Sequence, residues 1–114
     1  MKHNLDISVV IPVFNEEDSI IELNSQILNV IQENYSYELI YINDGSNDAS
    51  KIYINSLIDK NQNIKMISFY KNRGKSDALN AGFKACNGNI IIQCHLLQII
   101  YYKSFIKFVN IICK

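Results

Sequence analysis

Four apolar, β-branched runs, separated by segments of helical period, set the frame of this chain. Ile7–Val13 is broken only by Ser8 and Pro12 and reads as a buried strand ending near Pro12. Glu38–Asn43, Ile64–Tyr70 (Met66 and Ser68 on one face) and Asn89–Gln93 read as the second, third and fourth strands. After the first strand, Ile20, Leu23, Ile27, Val30 and Ile31 recur at helical spacing. The preceding Asn15-Glu16-Glu17-Asp18-Ser19 is a helix start: acids sit at the positive end of the dipole, and Ser19 with Glu22 has capping-box spacing. A second helix begins around Asn47–Ser50, with Ile52, Tyr53, Leu57 and Ile58 inward. Ser76 or Asp77 caps a third, Ala78–Cys86, which Asn87-Gly88 ends.

Strand and helix thus alternate at intervals of about 25–30 residues, the size of a βαβ unit. That pattern predicts an α/β fold: a parallel sheet with flanking helices. Phe14–Glu17, Asp44–Asn47, Lys71–Lys75 and whatever follows Gln93 then lie at carboxyl ends of strands and share one edge. Open sheets of this kind bind ligands there. The sharpest of these junctions is Leu39–Asp48, where an apolar run stops at Asn43-Asp44-Gly45-Ser46. Asp44 either holds a ligand or only closes the turn and caps the next helix.

Composition narrows the partners. At 114 residues the chain makes at most one domain, and its 48% hydrophobic content can supply a core. Eleven acids balance eleven bases, which argues against a nucleic-acid binder. Cys86, Cys94 and Cys113 have no metal spacing and cannot all pair, so reduced thiols in the cytoplasm are expected. The N-terminus lacks a signal-peptide apolar region, and no stretch of about 20 residues is free of charge, so no membrane span is expected.

The first turn has neither the dinucleotide fingerprint nor a P-loop. The edge offers carboxylates instead, Glu16 and Asp44, which suit a ribose hydroxyl or a base N–H. Arg73 and Lys75 flank Gly74 and suit a diphosphate, with the glycine allowing close backbone approach. Together these fit a nucleotide with a diphosphate. A solvated basic loop and a helix-terminal acid are the plainer alternatives.

Ser8-Val9-Val10-Ile11-Pro12-Val13-Phe14-Asn15-Glu16-Glu17, Ile42-Asn43-Asp44-Gly45-Ser46-Asn47-Asp48, and Asn72-Arg73-Gly74-Lys75 with Ala78-Leu79-Asn80-Ala81-Gly82 resemble family 2 glycosyltransferases. The likeness is greatest to the branch that moves sugars onto polyprenyl (dolichol or undecaprenyl) phosphate, and it covers about residues 5–93. It implies a Rossmann-like GT-A fold, here truncated, that binds a UDP- or GDP-sugar for transfer to a polyprenyl phosphate or a glycan. By resemblance Pro12, Phe14 and Glu16 line the nucleotide pocket, Asp44 hydrogen-bonds the base (uracil or guanine), Arg73 and Lys75 lie near the phosphates, and Asn15, Gly45, Ser46 and Gly74 belong to the same nucleotide-sugar-binding set. Gly82 inside a helix costs about 1 kcal/mol relative to Ala, which points to a close helix–sheet contact there.

The family also expects Asp-x-Asp after the fourth strand, holding Mg²⁺ or Mn²⁺ on the diphosphate. Here the strand runs into Gln93-Cys94-His95-Leu96-Leu97-Gln98, and no Asp or Glu follows Asp77. No metal ligand and no catalytic residue can be assigned; His95 has no nearby partner ligand. The expected domains are therefore 1–93, a nucleotide-sugar-binding part, and 94–114, a divergent apolar and basic tail. Lys103, Lys107, Asn110 and Lys114 form one stripe of the tail, so it reads as an amphipathic helix. Such a helix would contact the cytoplasmic membrane face or cover the sheet; alternatively the tail arises from a frameshift or truncation. A chain inactive by itself is expected, either a nucleotide-binding remnant or a membrane-peripheral fragment.

Overall fold

The computed structural model describes residues 5–94 and 110–113. In chain order the elements are β1 (Leu5–Val13), α1 (Ile20–Ile31), β2 (Tyr37–Asn43), α2 (Ser50–Lys60), β3 (Ile64–Ser68), α3 (Lys75–Ala85), β4 (Gly88–Gln93) and β5 (Asn110–Cys113). The sheet order is β3-β2-β1-β4-β5. The first four strands are parallel, and β5 runs antiparallel to β4. The chain steps outward from β1 through β2 to β3, then returns through α3 to the other side of β1. That reversal puts a topological switch point between the carboxyl ends of β1 and β4.

Strands covered on both faces read as largely apolar runs, which is why β1, β2 and β4 were visible in the sequence; the edge strand β3 buries only Ile64 and leaves Lys65 and Ser68 exposed. Ile7, Val9, Ile11 and Val13 of β1 pack with Ile20, Leu23, Ile27 and Ile31 of α1 and with Ile54 and Leu57 of α2. Val10, Ile40 and Ile42 pack on the opposite face against Ala78 of α3 and Ile91 of β4. Gly82 belongs to this second contact: a Cβ there would lie 2.5 Å from Val10 Cγ1 and 2.8 Å from Ile42 Cδ1.

Pro12 is tolerated in a central strand because of where its nitrogen points. Val13 carbonyl accepts the Asp44 N–H (2.8 Å), and Val10 carbonyl accepts the Cys94 N–H (3.0 Å). Even-numbered peptide groups of β1 therefore face β4, and Pro12 lies beyond the last described bond on that side. The missing donor breaks no bond of the described ladder.

Several local expectations are corrected. Ser19 occupies the N-cap position of α1, but its φ −114° and ψ −15° are not the extended backbone that aims a hydroxyl at the first turn, and no side-chain cap bond forms. In α2 the inward side is Ser50, Ile54 and Leu57; Ile52 is 67% exposed and Tyr53 is exposed as well. The third helix starts at Lys75 with Gly74 as its N-cap, so Ser76 and Asp77 lie inside the first turn. Asn110–Cys113 is strand, not helix. The rest of the predicted tail helix, and His95, fall outside the described residues.

At the amino ends of the strands sits a polar knot that the sequence reading passed over. Glu38 is 2% exposed, and its carboxylate accepts from Ser8 Oγ (2.6 Å), Lys65 Nζ (2.8 Å) and the Asn87 N–H (2.6 Å). Ser8 Oγ in turn accepts the Gly88 N–H at 2.7 Å. Burial alone would raise the Glu38 pKa; the bonds from Lys65, Ser8 and Asn87 outweigh it and hold the carboxyl below its ordinary value.

Candidate functional site

Three of the four predicted loops meet at the carboxyl edge of the sheet. Each is fastened to its neighbour by paired hydrogen bonds. Between the first and second loops, Asn15 N–H donates to Ser46 Oγ (3.0 Å), and Asn15 Oδ1 accepts the Asn47 N–H (2.7 Å). Glu16 N–H donates to Ser50 Oγ (3.0 Å), and Glu17 N–H to Asp48 Oδ2 (3.2 Å). Glu17 Oε1 accepts the Ala49 N–H at 2.8 Å. Asn15 has φ 52°, a left-handed conformation that asparagine tolerates better than most residues. That backbone lets side chain and amide address the second loop together.

The second loop is fastened to the third through Asp44. Its carboxylate is almost fully buried and accepts the Arg73 N–H on Oδ1 (2.7 Å) and the Gly74 N–H on Oδ2 (3.1 Å). Asn72 Nδ2 donates both to Asp44 Oδ2 (3.0 Å) and to the Asp44 carbonyl (3.1 Å). Around it, Asn43 Nδ2 donates to Ser68 Oγ (3.0 Å), Asn43 Oδ1 accepts the Ser46 N–H (3.1 Å), and the Asn43 carbonyl accepts the Phe69 N–H (2.8 Å). Gly45, at φ 73°, lies so close that a Cβ would overlap the Asn72 nitrogen and the Lys71 carbonyl carbon. Only glycine fits that position.

The exposed groups of the rim differ in kind. Phe14 presents an aromatic ring, 43% exposed, beside the half-buried Glu16. Arg73 is exposed, lies 4.4 Å over the Phe69 ring centroid, and places Nε 3.7 Å from Asp77 Oδ2. Lys75 is exposed at the start of α3. Gly74 has φ 101°, and a Cβ there would meet nothing within 4 Å. The positive φ favours glycine on backbone grounds, and the space beside it is open. Burial works against ionisation of Asp48, but hydrogen bonds from the Ser50 hydroxyl and amide and from the Glu17 amide prevail and lower its pKa.

Pro12, Phe14, Asn15, Glu16, Asp44, Gly45, Ser46, Arg73, Gly74 and Lys75 are thus gathered on one edge. Sequence reasoning missed the struts between them: Asn43, Glu17, Asp48, Ser50 and Asn72. Asn and Asp beside turn residues were a usable signal, because such side chains habitually bond to nearby backbone. Beneath the edge, Tyr41 OH donates to Asn24 Oδ1 at 2.9 Å, and burial pushes the Tyr41 hydroxyl up. Burial also pushes the Cys94 thiol up to about 12. Among the described residues no three His, Cys, Asp or Glu side chains are placed to hold a metal ion, and no helix is long and apolar enough to cross a membrane.

Comparison with known proteins gives this edge its context. Glycosyl transferase family 2 matches residues 8–95. The chain is 36% identical over 89 residues to an uncharacterised glycosyltransferase of Synechocystis sp., covering 77% of this chain and 28% of the relative. It is 38% identical over 89 residues to a prophage bactoprenol glucosyl transferase homologue of Escherichia coli, covering 77% and 29%. The chain therefore spans under a third of the length of these curated relatives. Among solved structures, S. aureus TarS 1–349 in complex with UDP matches with TM-score 0.69 at 21% identity, over 80% of this chain and 27% of that one. The mannosyltransferase PcManGT from Pyrobaculum calidifontis, in complex with GDP-Man and Mn²⁺, matches with TM-score 0.71 at 19% identity, over 82% and 28%. Fold and family match agree: the chain belongs to glycosyl transferase family 2 and carries the first part of its GT-A fold.

Proposed function

We propose that these residues form the donor-nucleotide side of a glycosyltransferase, binding a UDP- or GDP-sugar for transfer to a polyprenyl phosphate or glycan. The observation that carries this reading is the convergence of the Phe14–Glu17, Asp44–Asn47 and Arg73–Lys75 segments on one strand-end edge, in a chain of this family. Phe14 offers a ring on which a base can stack. Glu16 offers an acceptor for a ribose hydroxyl or base N–H. Arg73 and Lys75, at the N-terminus of α3, offer cations and a helix dipole to the diphosphate. UDP and GDP-Man in the solved neighbours, and bactoprenol in the names of curated relatives, support the ligand and acceptor classes.

A divalent cation in this family would neutralise the diphosphate leaving group. The residues present do not supply its donor set, since no carboxylate follows Asp77 in the chain. Within these 114 residues no Asp or Glu after Asp77 is present to deprotonate an acceptor either. The 114 residues are therefore expected to bind the nucleotide-sugar without transferring the sugar, at the cytoplasmic membrane face where a polyprenyl phosphate would be met.

Calorimetry with UDP-glucose and GDP-mannose, with and without Mg²⁺ or Mn²⁺, tests both halves of the reading. Binding of one donor without turnover is the expected result. Absence of binding to either would remove the nucleotide site. Robust metal-dependent transfer by residues 1–114 would remove the claim of inactivity.

A further inference from the structure

We infer that Asp44 is a positioning residue: its carboxylate latches the 72–74 segment and so sets where Arg73 and Lys75 stand. A carboxylate offers about four acceptor positions. Three are filled by loop donors, namely Arg73 N–H, Gly74 N–H and Asn72 Nδ2. With only 4% of the residue exposed, little of that group is left to meet a ligand directly. The donors lie 28 to 30 residues away in sequence, on the segment that leads into α3.

The geometry ties each bond to a cation. The Arg73 amide is held by Oδ1 while its guanidinium lies over Phe69, so both ends of that residue are placed. Gly74 is the N-cap of α3 and makes no cap bond with a side chain of its own; its amide is held by Oδ2, and Lys75 follows as the first helical residue. Asp44 therefore governs the entry of the chain into α3 from outside the helix. Gly45 brings the two backbones together behind the latch.

The inference rests on the nucleotide reading only for the purpose of the latch, and its test separates the two. In the 114-residue chain, Asp44→Asn turns one acceptor into a donor facing loop N–H groups. Amide hydrogen exchange at Arg73 and Gly74 should quicken at least tenfold, with amides of β1 and α1 unchanged. In calorimetry, Asp44→Asn should weaken UDP (or GDP) severalfold more than it weakens the bare nucleoside, and combining it with Arg73→Ala should cost less than the two separate losses together. Unchanged exchange at Arg73 and Gly74 would overturn the latch. So would equal losses for nucleoside and diphosphate, or strict additivity with Arg73→Ala. If Asp44→Asn fails to fold, Asn72→Ala keeps the carboxylate and removes two of the bonds, and Gly74 exchange should still quicken; protection as in the unaltered chain would count against the latch. Should the unaltered chain bind no nucleotide, the exchange measurements alone decide the inference.

Discussion

Lys65, on the edge strand β3, reaches across to Glu38 with its Nζ 2.8 Å from Oε1, and it is the half-exposed partner of a carboxylate that is itself buried. The pair ties β3 to β2, and the remaining acceptors of Glu38 tie in β1 and the α3–β4 turn through Ser8 and Asn87. Because the folded-state pKa lies below the ordinary 4.5, this carboxylate stabilises the fold fully above about pH 4.5. That contribution is lost as pH falls from there through the lowered value. Glu38→Gln should cost about 2–3 kcal/mol at pH 7, the penalty for buried donors left short of acceptors. It should also flatten the acid limb of the stability curve. Urea unfolding at pH 7 and pH 3.5 measures both. The Asp48 carboxyl is also held below its ordinary value, so the difference between variant and unaltered chain is the quantity that isolates Glu38.

Gly82 is a test of helix–sheet distance. Alanine is favoured over glycine in a helix by about 1 kcal/mol. Here the added methyl would press on Val10, a stiff β-branched side chain that is fully buried, and overpacking of this kind costs about 1–3 kcal/mol. The contact should win, with Gly82→Ala lowering the melting temperature by about 4–8 °C per kcal/mol of net loss. A raised melting temperature would mean that α3 and the sheet leave room for a methyl group beside Val10.

Asn15 combines a left-handed backbone with a bond to the second loop, and two substitutions separate the contributions. Asn15→Gly keeps the backbone and loses the bond from Asn47, an exposed interaction worth about 0.5–1 kcal/mol. Asn15→Ala loses the bond and adds about 1 kcal/mol of backbone strain. Chemical denaturation should rank the alanine variant as the less stable. Equal losses would show the positive φ to be unimportant.

Cys94 should resist alkylation in the folded chain. Its thiol is buried and titrates near 12, so almost no thiolate exists at pH 8. Iodoacetamide labelling followed by peptide mass spectrometry should find Cys94 modified only after urea is added. Rapid labelling in buffer would place it outside the core.

The sequence made some features of this molecule easy to see and others invisible, for physical reasons. Two-sided burial writes β1, β2 and β4 as plain β-branched runs, and α1 declares its inward side through Ile20, Leu23, Ile27 and Ile31. In α2 the apolar residues Ile52 and Tyr53 face outward while Ser50 faces in, so hydrophobicity pointed the wrong way. Asp44 was legible as a strand-end carboxylate, and Gly82 as a contact point. Its partners were not legible, because Asn72, Arg73 and Gly74 come into reach only when β2 and β3 are already paired. Glu38 was hidden for the same reason: Ser8, Lys65 and Asn87 lie 27 to 49 residues from it.

The reciprocal bonds among the three edge loops also bear on how tightly anything can bind there. Separate loops would each have to be frozen on contact, at a cost of about 0.5–1.5 kcal/mol for every side chain immobilised. Loops that already brace one another have lost that freedom during folding. A ligand landing on this edge meets a prepared surface, and more of its contact energy remains as affinity.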